Sequence, residues 1–224
     1  MSTELEQRYR QVLHEVAEAA RAAGRDPRSI TTIVVTKFHP VSLIRQLLSL
    51  GHRDFGESRH QEAGAKAEEL AGEDLVWHFI GQLQSNKARA VAQYANVIHS
   101  VDRTSLVEKL RTSDRVIDVF LEVNLTEDPG RGGVLPKDLE SLTASVLETP
   151  TLRLLGLMAV APLGEEPRRA FERVMSLREG FLTSAPFATQ LSLGMSQDFR
   201  EAVAVGATHL RIGTAITGNR PPQA

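Results

Sequence analysis

The stretch Ile30-Thr-Thr-Ile-Val-Val-Thr-Lys-Phe-His-Pro40 decides how the rest of the chain is read. Every residue from Ile30 to Val35 is β-branched, and such side chains favour a pleated strand. A short apolar run without polar alternation fits a strand covered on both faces, as in a parallel sheet. Lys37 stands at the end of the run, and Pro40 stops the strand and can open a helix. An ammonium at the mouth of a buried strand must reach water, find a partner or give up its charge. Partial burial favours the neutral amine. Lys37 is therefore a candidate Schiff-base nucleophile, beside the plainer reading of a strand-end lysine reaching solvent.

Outward from this strand, the pattern alternates. Before it, Thr3 and Glu6 have capping-box spacing, and Leu5, Tyr9, Val12, Leu13, Val16 and Ala20 share one helical face over 3–23. Gly24 and Pro27 end that helix. After it, strands are predicted over 53–57, 76–81, 96–101, 116–124, 152–160, 189–194 and 209–213. The segments between them read as helices, the last capped by Ser196 and running to Val205. Strict alternation demands a parallel sheet. Eight units in 224 residues point to a closed (β/α)8 TIM barrel with an extra N-terminal helix, an open doubly wound sheet being the alternative. One domain over 1–224 is expected, with 1–24 as the leading helix and 221–224 as a loose tail.

Bulk properties exclude several function classes. Hydrophobic residues make up 42% and charged residues 24%, a soluble balance, and the net charge of -2 gives no reason to expect nucleic acid or an acidic membrane surface. With no cysteine, disulfides, thiolate chemistry and cysteine-type zinc sites are excluded. The first residues are charged and amphipathic, unlike a signal peptide, and no apolar run approaches the roughly 20 residues of a membrane span. A cytoplasmic protein is expected.

In such a barrel, chemistry sits where strands end, and the loops after strands seven and eight are the usual phosphate site. Here they are Ser192-Leu-Gly-Met-Ser196 and Arg211-Ile-Gly-Thr-Ala215. Glycine permits close backbone approach, and N–H groups with a hydroxyl suit a phosphate. Arg211 shares a strand face with Gly213 and can point into the barrel mouth, the alternative being a salt-bridged arginine beside a tight turn. With Lys37 on the opening strand, these residues describe a phosphate-bearing aldehyde. His78 reads as a satisfied core polar group rather than a catalyst, and no histidine or carboxylate spacing suggests a metal. Ser85-Asn86-Lys87 reads as a helix start, Glu57 as a cap for the following helix, and 126–133 as a solvated loop.

Longer motifs add to this. VTK at Val35–Lys37, FGESRHQE at Phe55–Glu62 and WHFIGQLQSNK at Trp77–Lys87 occur in order. IHSVD at Ile98–Asp102, GLMAVAP at Gly156–Pro162, LSLGMSQDF at Leu191–Phe199 and GATHLRIGTAITGNR at Gly206–Arg220 follow. Over nearly its whole length the chain resembles the pyridoxal-phosphate homeostasis family, small relatives of alanine-racemase barrels. The resemblance implies pyridoxal 5'-phosphate (PLP) held as an imine on Lys37, its phosphate gripped by Ser192, Gly213 and Thr214, and its pyridine nitrogen facing Arg211. A permanently charged arginine there disfavours ring protonation and makes the ring a poorer electron sink. The chain departs from the family pattern at Ser58, usually Asn, at Phe38-His39, usually more polar, and at Arg131, often lysine.

Three functions compete. A non-catalytic carrier would buffer PLP, hand it to apo-enzymes and maintain vitamin B6 balance. A PLP-dependent racemase would need a second acid/base, usually a tyrosine from an appended β-domain; this chain has only Tyr9 and Tyr94, neither at a predicted strand end. A PLP-free Schiff-base aldolase would need an acid/base system that no motif supplies. The carrier is favoured, as a monomer, with a second PLP site near Ser85–Lys87 left open.

Overall fold

A computed structural model describes residues 3–126, 128 and 130–219. The predicted tail at 221–224 lies outside the described residues. Eight parallel strands close in chain order: β1 (Thr31–Val35), β2 (Asp54–Glu57), β3 (Val76–Phe79), β4 (Val97–Val101), β5 (Ile117–Glu122), β6 (Leu152–Met158), β7 (Gln190–Ser192) and β8 (His209–Ile212). Closure rests on β1 pairing with β8, Ile33 beside Arg211 and Val34 beside Ile212. The sheet is therefore a barrel and not the open alternative.

Helices cover the outside: α1 (Glu4–Ala22), α2 (Val41–Ser49), α3 (His60–Glu69), α4 (Ala88–Tyr94), α5 (Thr104–Leu110), α6 (Leu139–Leu147), α7 (Pro167–Ser184), α8 (Phe199–Ala204) and α9 (Thr214–Thr217). The leading helix forms where its cap places it. Thr3 Oγ1 accepts from Glu6 N at 3.2 Å, and Leu5, Tyr9, Val12, Val16 and Ala20 are buried beneath it. Pro167 opens α7 with its fixed φ, and the Glu166 side chain accepts from Arg168 N. No described helix is long and apolar enough to cross a membrane.

The core has two compartments. The main one lies between strands and helices and holds Val34, Ile44, Leu47, Phe55, Ile98, Leu106, Leu121 and Phe171, all fully buried. The second is a small apolar group of Val97, Phe120 and Met158, with Phe120 stacked on His99 at 4.6 Å between ring centres.

Several predicted ends move. β1 stops at Val35, so Lys37 lies in the turn after it rather than on the strand, and Pro40 is the residue before α2. β5 ends at Glu122, two residues short of Asn124. Ser196 does not cap α8: Asp198 precedes that helix, and its Oδ1 instead accepts from Met195 N at 2.6 Å. Ser85–Lys87 is a single 3-10 turn leading into α4. Glu57 is buried and caps nothing; Arg59 precedes α3 without a side-chain cap. In the loop over 126–133, expected to be solvated, Asp128 and Arg131 are tied down: Asn124 Nδ2 donates to their carbonyls at 3.0 and 3.1 Å.

Candidate functional site

Strand pleating decides which side chains enter the barrel. A Cβ placed on Gly56 would touch Ile33 and Val35, so these three share the inner surface. Arg211, in register with Ile33, joins them. The residue is 4% exposed, and its guanidinium makes three hydrogen bonds: Nη1 donates to the carbonyl and hydroxyl oxygens of Ser192, both at 2.6 Å, and Nη2 to the carbonyl of Ala159 at 2.9 Å. Burial lowers its pKa to about 10, opposed by the negative charges of Glu122 and Asp198, so it stays cationic at neutral pH.

Below Arg211 runs a buried chain of polar groups. Ser192 Oγ lies 2.8 Å from His99 Nδ1, His99 Nε2 lies 2.9 Å from His78 Nδ1, and His78 Nε2 lies 3.1 Å from Asp54 Oδ1. Arginine only donates and a carboxylate only accepts. With the His99 proton on Nε2 the chain runs one way: Arg211 donates to Ser192, Ser192 to His99, His99 to His78, and His78 to Asp54. Burial drives His99 well below the ordinary histidine range, in agreement with a neutral ring. Burial raises the Asp54 carboxyl, but the hydrogen bond from His78, with the imidazoles around it, outweighs burial, and the net shift is downward. The sequence reading of His78 as a satisfied core group matches this geometry. His99, Asp54 and the link to Ser192 were not read there.

The rim above is built from strand ends. Gly213 follows β8, where a Cβ would sit 3.6 Å from Val35 Cβ, which brings this loop against the end of β1. Ser196, from the loop after β7, places Oγ 3.3 Å from both Gly213 N and Ala215 N. Two backbone N–H groups thus converge on one oxygen, the arrangement an anion exploits. Gly194 makes that loop possible: its φ is +85°, and a Cβ there would lie 2.6 Å from Ala202 Cβ. Thr214 stands next to Gly213 and is exposed. Lys37 is exposed too, its Nζ 6.0 Å from the centre of the Phe38 ring, without the part-burial expected of it.

The structure therefore gathers Ser192 with Arg211, and Gly213 with the β1 end that carries Lys37. It gives Ser192 to the arginine and puts Ser196 at the converging N–H groups. Glu122, at the end of β5, was also missed. Burial and the Asp102 charge push its carboxyl up to about 7, against the opposing Arg211 and Arg131.

A closed barrel with a lysine after its first strand and an N–H nest after its last defines a protein of the alanine-racemase barrel class. The family model for the alanine racemase N-terminal domain matches residues 8–221. Within that class, the chain belongs to the pyridoxal phosphate homeostasis protein family. It is 40% identical over 213 residues to the family member of Pseudomonas aeruginosa, covering 93% of each chain. It is 39% identical over 220 residues to that of Escherichia coli, covering 94% of each. PipY of Synechococcus elongatus, solved with PLP bound, superposes with a TM-score of 0.79 at 37% identity, covering 91% of this chain and 100% of PipY. Alanine racemase of Corynebacterium glutamicum shares the fold, with a TM-score of 0.69 at 16% identity, and this chain spans 60% of it.

Proposed function

We propose that this protein binds PLP reversibly through Lys37 and buffers or delivers it, without turning over an amino-acid substrate. The convergence of Gly213 N and Ala215 N on Ser196 Oγ, against the end of β1, carries the reading. It suits the phosphate of a ligand whose other end reaches Lys37. PLP, when bound, supplies an aldehyde that condenses with a primary amine and loses water.

The chain's own groups divide the work. Lys37 offers the amine, and Gly213, Thr214 and Ser196 offer the phosphate donors. Ser192, also named for the phosphate by the sequence reading, supports Arg211 from below. Arg211, cationic despite its burial, would face the pyridine nitrogen and keep it unprotonated, which weakens carbanion stabilisation. The tyrosines support the non-catalytic reading. Tyr9 is buried under α1 with its hydroxyl 3.3 Å from His52 Nδ1, and Tyr94 stacks on His60 outside the barrel. Both are carried by helices, α1 and α4, and neither by a strand end, where a racemase needs its second base. Hand-over to apo-enzymes, a monomeric working form and a cytoplasmic location belong to the same proposal.

The test is chemical. Protein incubated with PLP, reduced with borohydride and digested should carry the tag on the Lys37 peptide, and Lys37→Ala should carry none. A tag on another lysine would sink the site assignment. Sustained racemisation or decarboxylation of amino acids at stoichiometric enzyme would sink the non-catalytic reading.

A further inference from the structure

The turn that carries Lys37 is unusual in three ways. Phe38 has φ +67°, the only non-glycine residue with positive φ among the described residues. A bulky side chain reaches that region only when its surroundings hold it there. His39 N closes the turn on the Thr36 carbonyl at 3.0 Å, and Phe38 N donates to Glu62 Oε2 at 3.0 Å. The Arg59 guanidinium lies 4.7 Å from the centre of the Phe38 ring.

Beneath the turn sits a buried ion pair. Lys66, on α3, donates from Nζ to Glu57 Oε1 at 2.6 Å and to the Thr36 carbonyl at 2.8 Å. Thr36 Oγ1 donates to the same Glu57 oxygen at 2.7 Å. Glu57 is 1% exposed and its other oxygen, Oε2, has no hydrogen-bond partner. A buried ion pair with an orphaned oxygen adds little net stability, because desolvation offsets the attraction. Two unfavourable features, a left-handed phenylalanine and an incompletely satisfied buried carboxylate, thus flank one exposed amine. Strain gathered at a single turn is a sign of a working part.

We propose that Lys66, with Glu57 and Glu62, positions Lys37: the buried pair and the second carboxylate hold the Thr36–His39 turn in its left-handed form and so fix where the Lys37 amine stands. These are positioning residues, touching the turn and not the ligand. The inference rests on Lys37 being the attachment amine, as proposed above.

Lys66→Met replaces the ammonium with an apolar chain of similar length. In the ligand-free protein, amide exchange at Phe38 and His39 should accelerate about tenfold while distant strand amides keep their protection. The PLP concentration giving half-maximal borohydride labelling of Lys37 should rise about tenfold, on the scale of one lost charge-assisted hydrogen bond. Glu62→Ala, at a half-exposed position where folding is not at stake, should raise it about threefold. Lys66→Arg, which keeps a donor, should recover part of the loss. Unchanged labelling in Glu62→Ala, or in folded Lys66→Met even with lowered thermal stability, would overturn the positioning role. Wild-type protein that labels nowhere, or at another lysine, would instead overturn the attachment site itself.

Discussion

Glu122→Gln isolates the cost of an acid group at the barrel mouth. Burial, with the Asp102 charge second, raises the carboxyl from 4.5 to about 7. The folded state therefore holds a proton that the unfolded state releases across this window. Where the folded state binds more protons, stability falls as pH rises. Below the unfolded value both states are protonated and the group contributes nothing. Between the two values, stability declines by about 1.4 kcal/mol per pH unit, and above the folded value the deficit is constant. The full interval amounts to about 3 kcal/mol, and water reaching the half-buried group brings it to about 1–2 kcal/mol. Glutamine cannot ionise, so the variant escapes the deficit. Urea unfolding at pH 4.5, 6 and 8 should give wild type and variant curves that differ by a constant at low pH. They should then separate by roughly 0.5–1 M in midpoint by pH 8, the variant more stable. A variant whose midpoints run parallel to wild type across this range, or fall below them at high pH, would mean that Glu122 ionises freely or is well paired. The account of this end of the barrel would then be wrong.

Further outcomes follow from the interior and the rim. His99→Phe keeps a ring against Phe120 but removes the partner of His78 Nδ1 and one of two partners of Ser192 Oγ, and should cost about 1–3 kcal/mol in unfolding free energy. Nitrogen-15 spectra of the wild type should show His99 neutral with its proton on Nε2; a proton on its Nδ1 would reverse the direction assigned to the chain. Gly194→Ala should lower the melting temperature by several degrees, a loss of about 1–3 kcal/mol, since φ is +85° and the new methyl meets Ala202 at 2.6 Å. A melting temperature equal to wild type would show that the loop after β7 gives way easily.

The fold was legible because strands such as β1, β4 and β5 are largely apolar runs, and helices such as α1 carry an apolar stripe between them. The missed strand ends have a common cause. Thr36 and Asn124 look like strand residues, but their hydrogen-bonding groups are taken by Lys66 and by the 126–133 loop. Phe38 gave no warning of a left-handed turn, a position that glycine or asparagine usually announces. Ser196 looked like a cap because it precedes a helix, whereas its oxygen serves backbone 17 and 19 residues ahead. The histidine chain was hidden for a different reason. Its members stand on separate strands, 24, 21 and 93 residues apart, and only barrel closure brings them together.

Arg8 donates from Nε to the carbonyl of Ile216 at 2.9 Å, which fastens the opening helix to the short one that follows the last strand. β1 likewise has its second neighbour only in β8. During synthesis, then, α1 and β1 lack part of their lasting contacts until β8 and α9 have been made. Such a chain commits late. One edge of β1 stays open to proteases and chaperones until β8 has been made, and a nascent protein stalled before β8 has no closed barrel in which to grip a ligand.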